Sequence, residues 1–311
     1  MNWVLVGIGD VAVRRVLPVL KAEPRSTLYG VVTRNPARSG VHAPRTWAHL
    51  AEALKDPGVD AVYIATPVYL HHPQTIAALR AGKHVLCEKP AALTYIEAQD
   101  MVQTARACDR LLGIAYFRRL YPKLIRARQL LEQRAIGKPV MAFAACSEWF
   151  SDEDGQRNWL LDPARAGAGP LYDIGSHRID AMNFLFGAPR RASSQLSNVL
   201  HQTKVEDSAT VLIEYDNGVH AIVDARWNTR ADGDEFFIVG TEGKMDLSPL
   251  SGPRLSHPGG DEMLPCAINR HEPCIRNFVA AVLDGVPCAC TGEACLPAMR
   301  VLDESLKKGR D

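Results

Sequence analysis

The sequence has little of several features that mark particular classes of protein. Its 36 Lys and Arg residues almost balance 35 Asp and Glu, so the net charge of +1 gives no electrostatic reason to expect binding to nucleic acid or to an anionic membrane. The most apolar stretch, residues 61–70, is interrupted by Thr66 and Pro67 and is about half as long as a transmembrane helix of roughly twenty residues. The first residues lack the basic start and cleavage site of a signal peptide.

Cysteine is also scarce. Eight cysteines in 311 residues are too few for a disulfide scaffold. Cys288, Cys290 and Cys295 are close in sequence but lack the C-x2-C spacing typical of zinc sites. We therefore expect reduced thiols in a cytoplasmic protein that holds no metal ion. A chain of this length, 47% hydrophobic, is expected to form two domains.

The first 120 residues alternate between short apolar runs and segments with helical periodicity. Such alternation indicates βαβ units and a doubly wound parallel sheet, the Rossmann class of α/β fold. One helix of this series is predicted over residues 47–55, ending before Pro57 and Gly58. We expect residues 1–120 to form the first domain. The apolar runs predicted as strands are residues 3–6, 28–32, 59–65, 84–87 and 111–115.

The pattern changes after residue 120, where the predicted strands are longer. Asp216-Asn217-Gly218 predicts a tight turn between two of them, because Asn-Gly readily supplies the positive φ angles of a hairpin. Residues 121–311 are therefore expected to form an α+β domain with a large open, mainly antiparallel sheet, whose C-terminal helix can pack back on the first domain. The predicted strands are residues 140–149, 194–200, 209–215, 219–227 and 235–239.

The open sheet also bears on assembly. Ala209, Val211, Ile213 and Tyr215 form one apolar face of a strand, and residues 236–239 are apolar on both faces. Both faces of such a sheet need to be covered. We therefore expect a homodimer or homotetramer in which a second copy covers one face.

Gly7-Ile8-Gly9-Asp10-Val11-Ala12 follows the first predicted strand and precedes a helix. It matches G-x-G-x-x-A, in which the first glycine permits a tight turn, the second lets the backbone approach a pyrophosphate, and the alanine keeps helix and strand close. An NAD enzyme usually carries Asp or Glu after the second strand, but Thr33, Arg34 and Arg38 stand in that region here. Arg34 can pair with a ribose 2′-phosphate. We predict NADP(H) as the preferred cofactor and NAD(H) as the alternative.

Two further stretches carry candidate catalytic residues. Glu88-Lys89-Pro90 follows a predicted strand, at the carboxyl end where ligands bind in open α/β sheets. Asp173 and His177 are four residues apart, so on a helix they share one face. Asp180 lies three residues beyond His177 on nearly the same face, and the spacing leaves open which aspartate orients the imidazole.

Together these stretches resemble the glucose–fructose oxidoreductase and inositol dehydrogenase (Gfo/Idh/MocA) family of NAD(P)-dependent oxidoreductases, over nearly the whole chain. The resemblance implies an NAD(P)-binding domain, a second domain with an open sheet, a substrate cleft between them, and allows a cis peptide before Pro90. The segments that carry it are residues 7–12, Ala65-Thr66-Pro67 with His71, residues 81–90, residues 169–180 and Gly240-Thr-Glu-Gly243.

By this resemblance Lys89, Asp173 and His177 form the catalytic group. Hydride transfer between nicotinamide and a carbinol carbon needs a proton moved on or off the oxygen, and an imidazole exchanges protons near neutral pH. Asp173 would fix the tautomer of His177, and Lys89 would supply positive charge to the developing alkoxide. The expected cofactor contacts are Gly7, Ile8, Gly9, Asp10, Val11, Thr33, Arg34, Arg38, Thr66, Pro67, His71, Glu88 and Lys89. The expected substrate contacts are Lys89, Tyr116, Arg119, Trp149, Asn158, Arg165, Asp173 and His177.

These residues predict an NADP(H)-preferring dehydrogenase or reductase that acts on a small sugar, polyol or related carbonyl compound. One alternative is an NAD(P)-assisted glycosidase of the same fold, which oxidises and re-reduces a sugar with no net reduction of the cofactor. Another is a dinucleotide-sensing regulator without catalysis. The presence of Lys89, Asp173 and His177 argues against the regulator.

Overall fold

The structure, a computed structural model, describes residues 1–34, 41–153 and 155–308, with the backbone alone at Asp232 and Lys308. The described chain divides into two compact units. The first comprises Met1–Phe117 and Ala267–Leu296, and the second comprises Arg118–Cys266 and the residues from Pro297 onward. The boundary predicted at residue 120 assigns Ala267–Leu296 to the second domain, whereas in the structure these residues belong to the first unit.

A parallel sheet of six strands forms the centre of the first unit. The strands are β1 (Asn2–Val6), β2 (Thr27–Val32), β3 (Thr46–Trp47), β4 (Ala61–Ile64), β5 (His84–Cys87) and β6 (Leu112–Ile114). Their order is β3-β2-β1-β4-β5-β6, which is typical of dinucleotide-binding folds. Successive strands are added on one side of β1 up to β3 and on its other side from β4 onward. All four residues of β4 are fully buried, as expected of a central parallel strand. The predicted Rossmann sheet is confirmed.

Local sequence signals account for several helices of the first unit. The helices are α1 (Leu17–Ala22), α2 (Leu50–Ala53), α3 (His71–Arg80), α4 (Tyr95–Ala107) and, later in the chain, α8 (Glu272–Asp284). Thr94 and Glu97 form a capping box that starts α4. The helix predicted over residues 47–55 is wrong in its first part, because Thr46 and Trp47 pair with β2 and only α2 remains helical.

The second unit contains a sheet of eight strands. They are β7 (Pro139–Trp149), β8 (Pro189–Ser197), β9 (Ser208–Tyr215), β10 (His220–Arg226), β11 (Asn228–Gly240), β12 (Lys244–Asp246), β13 (Arg254–His257) and β14 (Gly260–Met263). Their order is β14-β13-β12-β11-β7-β10-β9-β8, and every pair except β7 with β10 is antiparallel. The predicted open, mainly antiparallel sheet is confirmed, including the turn at Gly218, where φ is +86°.

The second unit also contains helices. The helices are α5 (Pro122–Glu132), α6 (Pro163–Ala166), α7 (Ser176–Phe186) and α9 (Gly292–Lys308), of which α9 belongs to this unit from Pro297 onward. Helix α7 packs against β7 and β10, on the face that buries Ala142, Ala221 and Ile213. None of the helices in the described residues is long and apolar enough to cross a bilayer.

The opposite face carries an apolar row. Phe237, Phe143, Ile222 and Leu212 lie directly opposite one another on the adjacent strands β11, β7, β10 and β9. The rings of Phe143 and Phe237 stack with centroids 5.2 Å apart, and Leu212 is 53% exposed. Within the second unit, this row is therefore apolar surface that water still reaches.

Candidate active site

The first unit presents most of its predicted site residues at one edge of the parallel sheet. The Gly7–Val11 loop follows β1, Thr66 follows β4, Glu88 and Lys89 follow β5, and Tyr116 follows β6. The carboxyl ends of parallel strands meet at the same edge, where dinucleotides bind in this class of fold. The geometry of the first unit therefore agrees with a nicotinamide cofactor at this edge.

The Gly7–Val11 loop has the backbone that the glycine pattern requires. Gly7 has a φ of +84°, and a Cβ there would lie 2.7 Å from the carbonyl oxygen of Ala65, so a larger residue does not fit. A Cβ on Gly9 would meet no atom within 4 Å. This open space beside an exposed backbone fits the close approach of a pyrophosphate. The remaining side chains of the loop, Ile8, Asp10 and Val11, are half-buried or exposed.

In this class of fold, the residues after the second strand determine whether NAD(H) or NADP(H) is preferred. The Thr33 N–H donates to the carbonyl oxygen of Trp47 at 3.0 Å, and the side chain of Arg34 is exposed. Arg38 lies outside the described residues. Residues 33–38 contain no Asp or Glu, so the sequence of this segment has no carboxylate that would repel a 2′-phosphate.

His71 links two loops at the carboxyl edge. Its Nδ1 lies 2.9 Å from the carbonyl oxygen of Pro90 and its Nε2 lies 2.8 Å from that of Thr66. The ring is only 1% exposed, and this burial lowers the pKa of His71, although both carbonyls act in the opposite direction. His71 therefore sits behind the loops that it joins, of which one includes Thr66-Pro67 and the other the cis Lys89–Pro90 peptide.

Glu88 is a buried carboxylate directly behind Lys89. Its Oε1 accepts a hydrogen bond from the Tyr63 hydroxyl at 2.7 Å and lies 3.4 Å from Nε2 of His271. Its Oε2 accepts from the backbone N–H of Lys89 at 3.3 Å. The Lys89 side chain itself is half-buried. The first unit thus holds Lys89 by its backbone at the end of β5.

In the second unit, Asp173 and His177 lie on one continuous helical stretch. Asp173 is in a π-helical turn (Leu171–Gly175) that leads directly into α7, and His177 is in the first turn of α7. Glu206 holds the start of this stretch, since its Oε1 accepts from the N–H groups of Gly169 and Leu171 at 2.9 and 3.2 Å. Asp173 is half-buried, and His177 is 6% exposed.

Arg157 contacts two carboxylates beside this stretch. Its Nη2 lies 2.9 Å from Oε1 of Glu148 and 3.5 Å from Oδ2 of Asp173. The guanidinium also lies 4.7 Å from the ring centroid of Phe150. Burial lowers the pKa of Arg157, but the hydrogen bond to Glu148 and the charge of Asp173 outweigh it, so the net pKa is raised. Arg157 therefore carries a positive charge next to the predicted catalytic aspartate.

Asp180 is engaged elsewhere. Both of its oxygens accept from Arg119, at 2.6 to 3.1 Å, in an ion pair whose two side chains are almost fully buried. Burial raises the pKa of Asp180, and the charge of Arg119 offsets only part of that rise. The two residues were predicted for different roles, Arg119 as a substrate contact and Asp180 as an alternative partner of His177, and the structure brings them together as one buried pair.

The other predicted substrate residues differ widely in exposure. Tyr116, in the first unit, is fully buried. In the second unit Asn158 is exposed, while Arg165 and Trp149 are half-buried. The Trp149 ring has the guanidinium of Arg230 4.2 Å from its centroid. Of this group, Asn158, Arg165 and Trp149 offer some surface to a ligand.

The residues at these sites that were not predicted from the sequence include Arg157, Tyr63 and His271. Arg157 directly precedes the predicted Asn158, yet its partner Asp173 lies 16 residues away, beyond the reach of helical spacing. Tyr63 is part of the apolar run of β4, where the pattern indicates only burial. His271 stands just before α8, outside every motif. No local signal in the sequence distinguishes these three from packing residues.

No group of three or more His, Cys, Asp or Glu side chains within the described ranges could hold a metal ion. All eight cysteines are free thiols, and five of them are buried. Burial raises the pKa of the Cys87 thiol well above its usual value and that of Cys146 to about 11. These two thiols are therefore held in the protonated form near neutral pH.

Comparisons with known proteins extend over both units. A family model described as "Oxidoreductase family, NAD-binding Rossmann fold" matches residues 1–116, and one described as "GFO/IDH/MocA C-terminal domain" matches residues 124–246. The chain is 28% identical to 1,5-anhydro-D-fructose reductase of Ensifer adhaerens, over 94% of this chain and 91% of that protein. It is 30% identical to Oxidoreductase P35 of Formosa agariphila, over 80% and 79%. A solved oxidoreductase from Thermotoga maritima shares the fold, with a TM-score of 0.90, 23% identity and coverage of 99% and 96%.

Proposed function

The chain belongs to the Gfo/Idh/MocA family of oxidoreductases, and from that premise we propose that it transfers a hydride between NADP(H) and a carbinol or carbonyl carbon of a small sugar, polyol or related compound. The observation that carries the proposal is the common edge of the parallel sheet. The Gly7–Val11 loop, Thr66 and the Glu88–Lys89 pair all follow strands that end there. The 1,5-anhydro-D-fructose reductase similar to this chain supports a sugar-like substrate.

In this proposal the side chains handle the proton and the charge. When bound, the nicotinamide accepts or donates the hydride. His177 exchanges the proton with the substrate oxygen, and Lys89 supplies positive charge to that oxygen as it becomes an alkoxide. We assign the orientation of the imidazole to Asp173 rather than to Asp180, and the support for this is that both oxygens of Asp180 accept hydrogen bonds from Arg119. Asp173 is itself held next to Arg157.

Replacing Lys89 with Met, and separately His177 with Ala, tests the assignment. Each variant is expected to lose turnover by about a thousandfold or more, while binding of NADPH, followed by its fluorescence, stays within about threefold. The substrate comes from a screen of sugars, polyols, keto-sugars and diols with NADPH and NADP+. Full activity in either variant would refute the assignment. Cleavage of a glycoside with no net change in NADPH would show the glycosidase instead.

The preference for NADP(H) rests on Arg34. A charge-assisted hydrogen bond to a phosphate contributes about 1.5–3 kcal/mol, so KM for NADPH should be roughly 10- to 100-fold below that for NADH. Arg34→Glu should remove this difference, whereas the same change at Arg80, exposed at the end of α3, should not. A lower KM for NADH in the unaltered enzyme would contradict the preference.

We also propose that a second copy covers the apolar row of the second unit, giving a homodimer or homotetramer. The row runs across four strands on the face opposite α7, and its end residue Leu212 is 53% exposed. Light scattering should report an oligomer that Leu212→Glu weakens. Leu200→Glu is the matched control, because Leu200 is 50% exposed but lies in a loop outside the row. A monomer at micromolar concentration would exclude this assembly.

A further inference from the structure

Tyr63, Glu88 and His271, here called the Glu88 cluster, come from three separate elements of the first unit. Tyr63 lies in β4, Glu88 follows β5, and His271 directly precedes α8. Tyr63 is fully buried, and Glu88 and His271 are 8% and 7% exposed. The cluster therefore places an ionisable acid in the interior of the unit, immediately behind Lys89.

The carboxylate of Glu88 accepts from different groups at its two oxygens. Oε1 accepts from the Tyr63 hydroxyl at 2.7 Å and faces Nε2 of His271 at 3.4 Å, whereas Oε2 accepts from the Lys89 N–H at 3.3 Å. A carboxylate only accepts, so Nε2 of His271 carries the proton. The Glu88 cluster thus leads from His271 through a single carboxylate to the backbone of Lys89.

Glu88 is held in its charged form. Burial raises the pKa of Glu88, but the hydrogen bond and the charge of His271, the hydrogen bond from Tyr63 and the charge of Lys89 together outweigh burial, and the net pKa is lowered. A buried carboxylate is costly unless donors surround it, and apolar side chains of similar size often stabilise a fold as well or better. The Glu88 cluster therefore fits a positional role better than a purely stabilising one.

His271 is itself fixed in place. Its backbone N–H donates to Oδ1 of Asn269 at 3.1 Å, and its carbonyl accepts from the Ile275 N–H at 3.0 Å in the first turn of α8. Its ring packs on Phe117 with centroids 4.4 Å apart. Nδ1 of His271 is buried with no hydrogen-bond partner among the described residues. Within the part of the chain that the structure describes, the polar contact of the ring is therefore the one with Glu88.

We infer that His271 is a positioning residue for Lys89, acting through Glu88, and that Tyr63 assists it. His271 and Tyr63 hold Oε1 of Glu88, so that Oε2 stays aimed at the Lys89 N–H and fixes the direction in which Lys89 leaves the end of β5. On the other side of Lys89, the carbonyl of Pro90 is held by His71. The inference rests on the proposed function, in which Lys89 is catalytic.

A pair of substitutions at His271 separates hydrogen bonding from packing. His271→Leu removes the donor and keeps much of the volume, and it should lower kcat by about 10- to 100-fold, because small misplacements of a catalytic group are costly. KM for both substrates should change by less than about threefold, since Lys89 is displaced rather than lost. His271→Gln retains an N–H donor and should restore kcat to within about threefold of the unaltered enzyme.

Amide hydrogen exchange gives a readout that does not need turnover. In His271→Leu without cofactor, the Lys89 amide should exchange about tenfold faster, because its acceptor is no longer held. His271→Gln should leave that rate unchanged. His84→Leu is the matched control, since His84 lies half-buried at the amino end of the same strand β5 and should leave both kcat and the Lys89 exchange rate unaltered.

Each outcome decides between the two proposals. Unchanged kcat and exchange in a folded His271→Leu would overturn the positioning role, as would equal losses in the Leu and Gln variants. Should His271→Leu not fold, Tyr63→Phe takes its place, because it removes only one oxygen, and full turnover with unchanged exchange would overturn the inference. Full activity in Lys89→Met would instead refute the proposed function, while the exchange result would still report on the Glu88 cluster.

Discussion

Replacing Lys123 with Met should change how the stability of the protein depends on pH. Lys123 lies in the first turn of α5 and is fully buried. Its Nζ donates to the carbonyl oxygens of Leu247 and Pro249, both at 2.6 Å. Burial lowers the pKa of Lys123 to about 8, although Asp234 and other acidic groups nearby act in the opposite direction.

The size of the effect follows from this pKa. Each pKa unit corresponds to about 1.36 kcal/mol, so the fall from 10.5 to about 8 costs the folded state about 3.4 kcal/mol wherever both states carry the proton. As pH rises above 8, the folded state loses the proton first, and the unfolded state binds more protons. Stability from this group therefore rises with pH up to about 10.5. Between about pH 7 and about pH 9.5 the gain is about 2 kcal/mol.

Urea unfolding of both proteins at these two pH values measures the effect. Met cannot donate to the two carbonyls, but the difference in stability between a neutral lysine and Met does not depend on pH, so the pH-dependent part of the comparison reports the proton of Lys123. The titrations of other groups largely cancel between the two proteins. Three of the five tryptophans, Trp149, Trp159 and Trp227, lie in the second unit, so fluorescence follows the unit that contains Lys123. Lys21→Met, at an exposed position, is the control. A stability difference between Lys123→Met and the unaltered protein that stays constant with pH would refute the reasoning.

Two further predictions concern single contacts. Arg119→Met should cost about 3–5 kcal/mol in urea unfolding, because it leaves the Asp180 carboxylate buried without its partner, and adding Asp180→Leu should recover most of that loss. No recovery in the double variant would contradict the pairing. Gly7→Ala should destabilise the protein by about 1–3 kcal/mol and weaken NADPH binding, because its Cβ would lie 2.7 Å from the Ala65 carbonyl. Gly82→Ala also has a positive φ but open space around it, so it should cost less; equal losses would show that the Ala65 contact is unimportant.

The fold could be predicted to the extent that local patterns decide it. The unbroken apolar run of β4 and the Asn217-Gly218 turn are such patterns, and both appear as expected. The two-residue strand β3 could not be predicted, because its residues are extended only through pairing with β2. Gly30 shows how close that pairing is, since a Cβ there would lie 2.2 Å from the Trp47 ring.

The bounds of one predicted strand are wrong. A strand was expected over residues 194–200, but β8 ends at Ser197. The Asp207 carboxylate accepts from the N–H groups of Val199, Leu200 and His201 at 2.6 to 3.0 Å. Three successive amides that turn toward one carboxylate are not available to a strand ladder. Asp207, which lies outside the predicted strand, therefore ends β8, and the apolar alternation of residues 194–200 does not indicate this.

The candidate site could likewise be predicted only where it depends on residues close in sequence. The Asp173–His177 spacing could be read from the sequence because both residues lie on one helical stretch. The pairing of Asp180 with Arg119 could not, because the two residues are 61 positions apart in the sequence. Once Arg119 takes both oxygens of Asp180, orientation of the imidazole passes to Asp173 in the proposed mechanism.

That choice has a consequence for Asp173 itself. Arg119 is committed to Asp180, whereas Arg157 divides its contacts between Glu148, at 2.9 Å, and Asp173, at 3.5 Å. The Arg157 contact with Asp173 is thus longer than the contacts of Arg119 with Asp180, which are 2.6 to 3.1 Å. The buried Arg119–Asp180 pair and the Arg157 contact thus place two aspartates of one helical stretch in different surroundings, which supports the proposed mechanism, in which Asp173 rather than Asp180 assists catalysis.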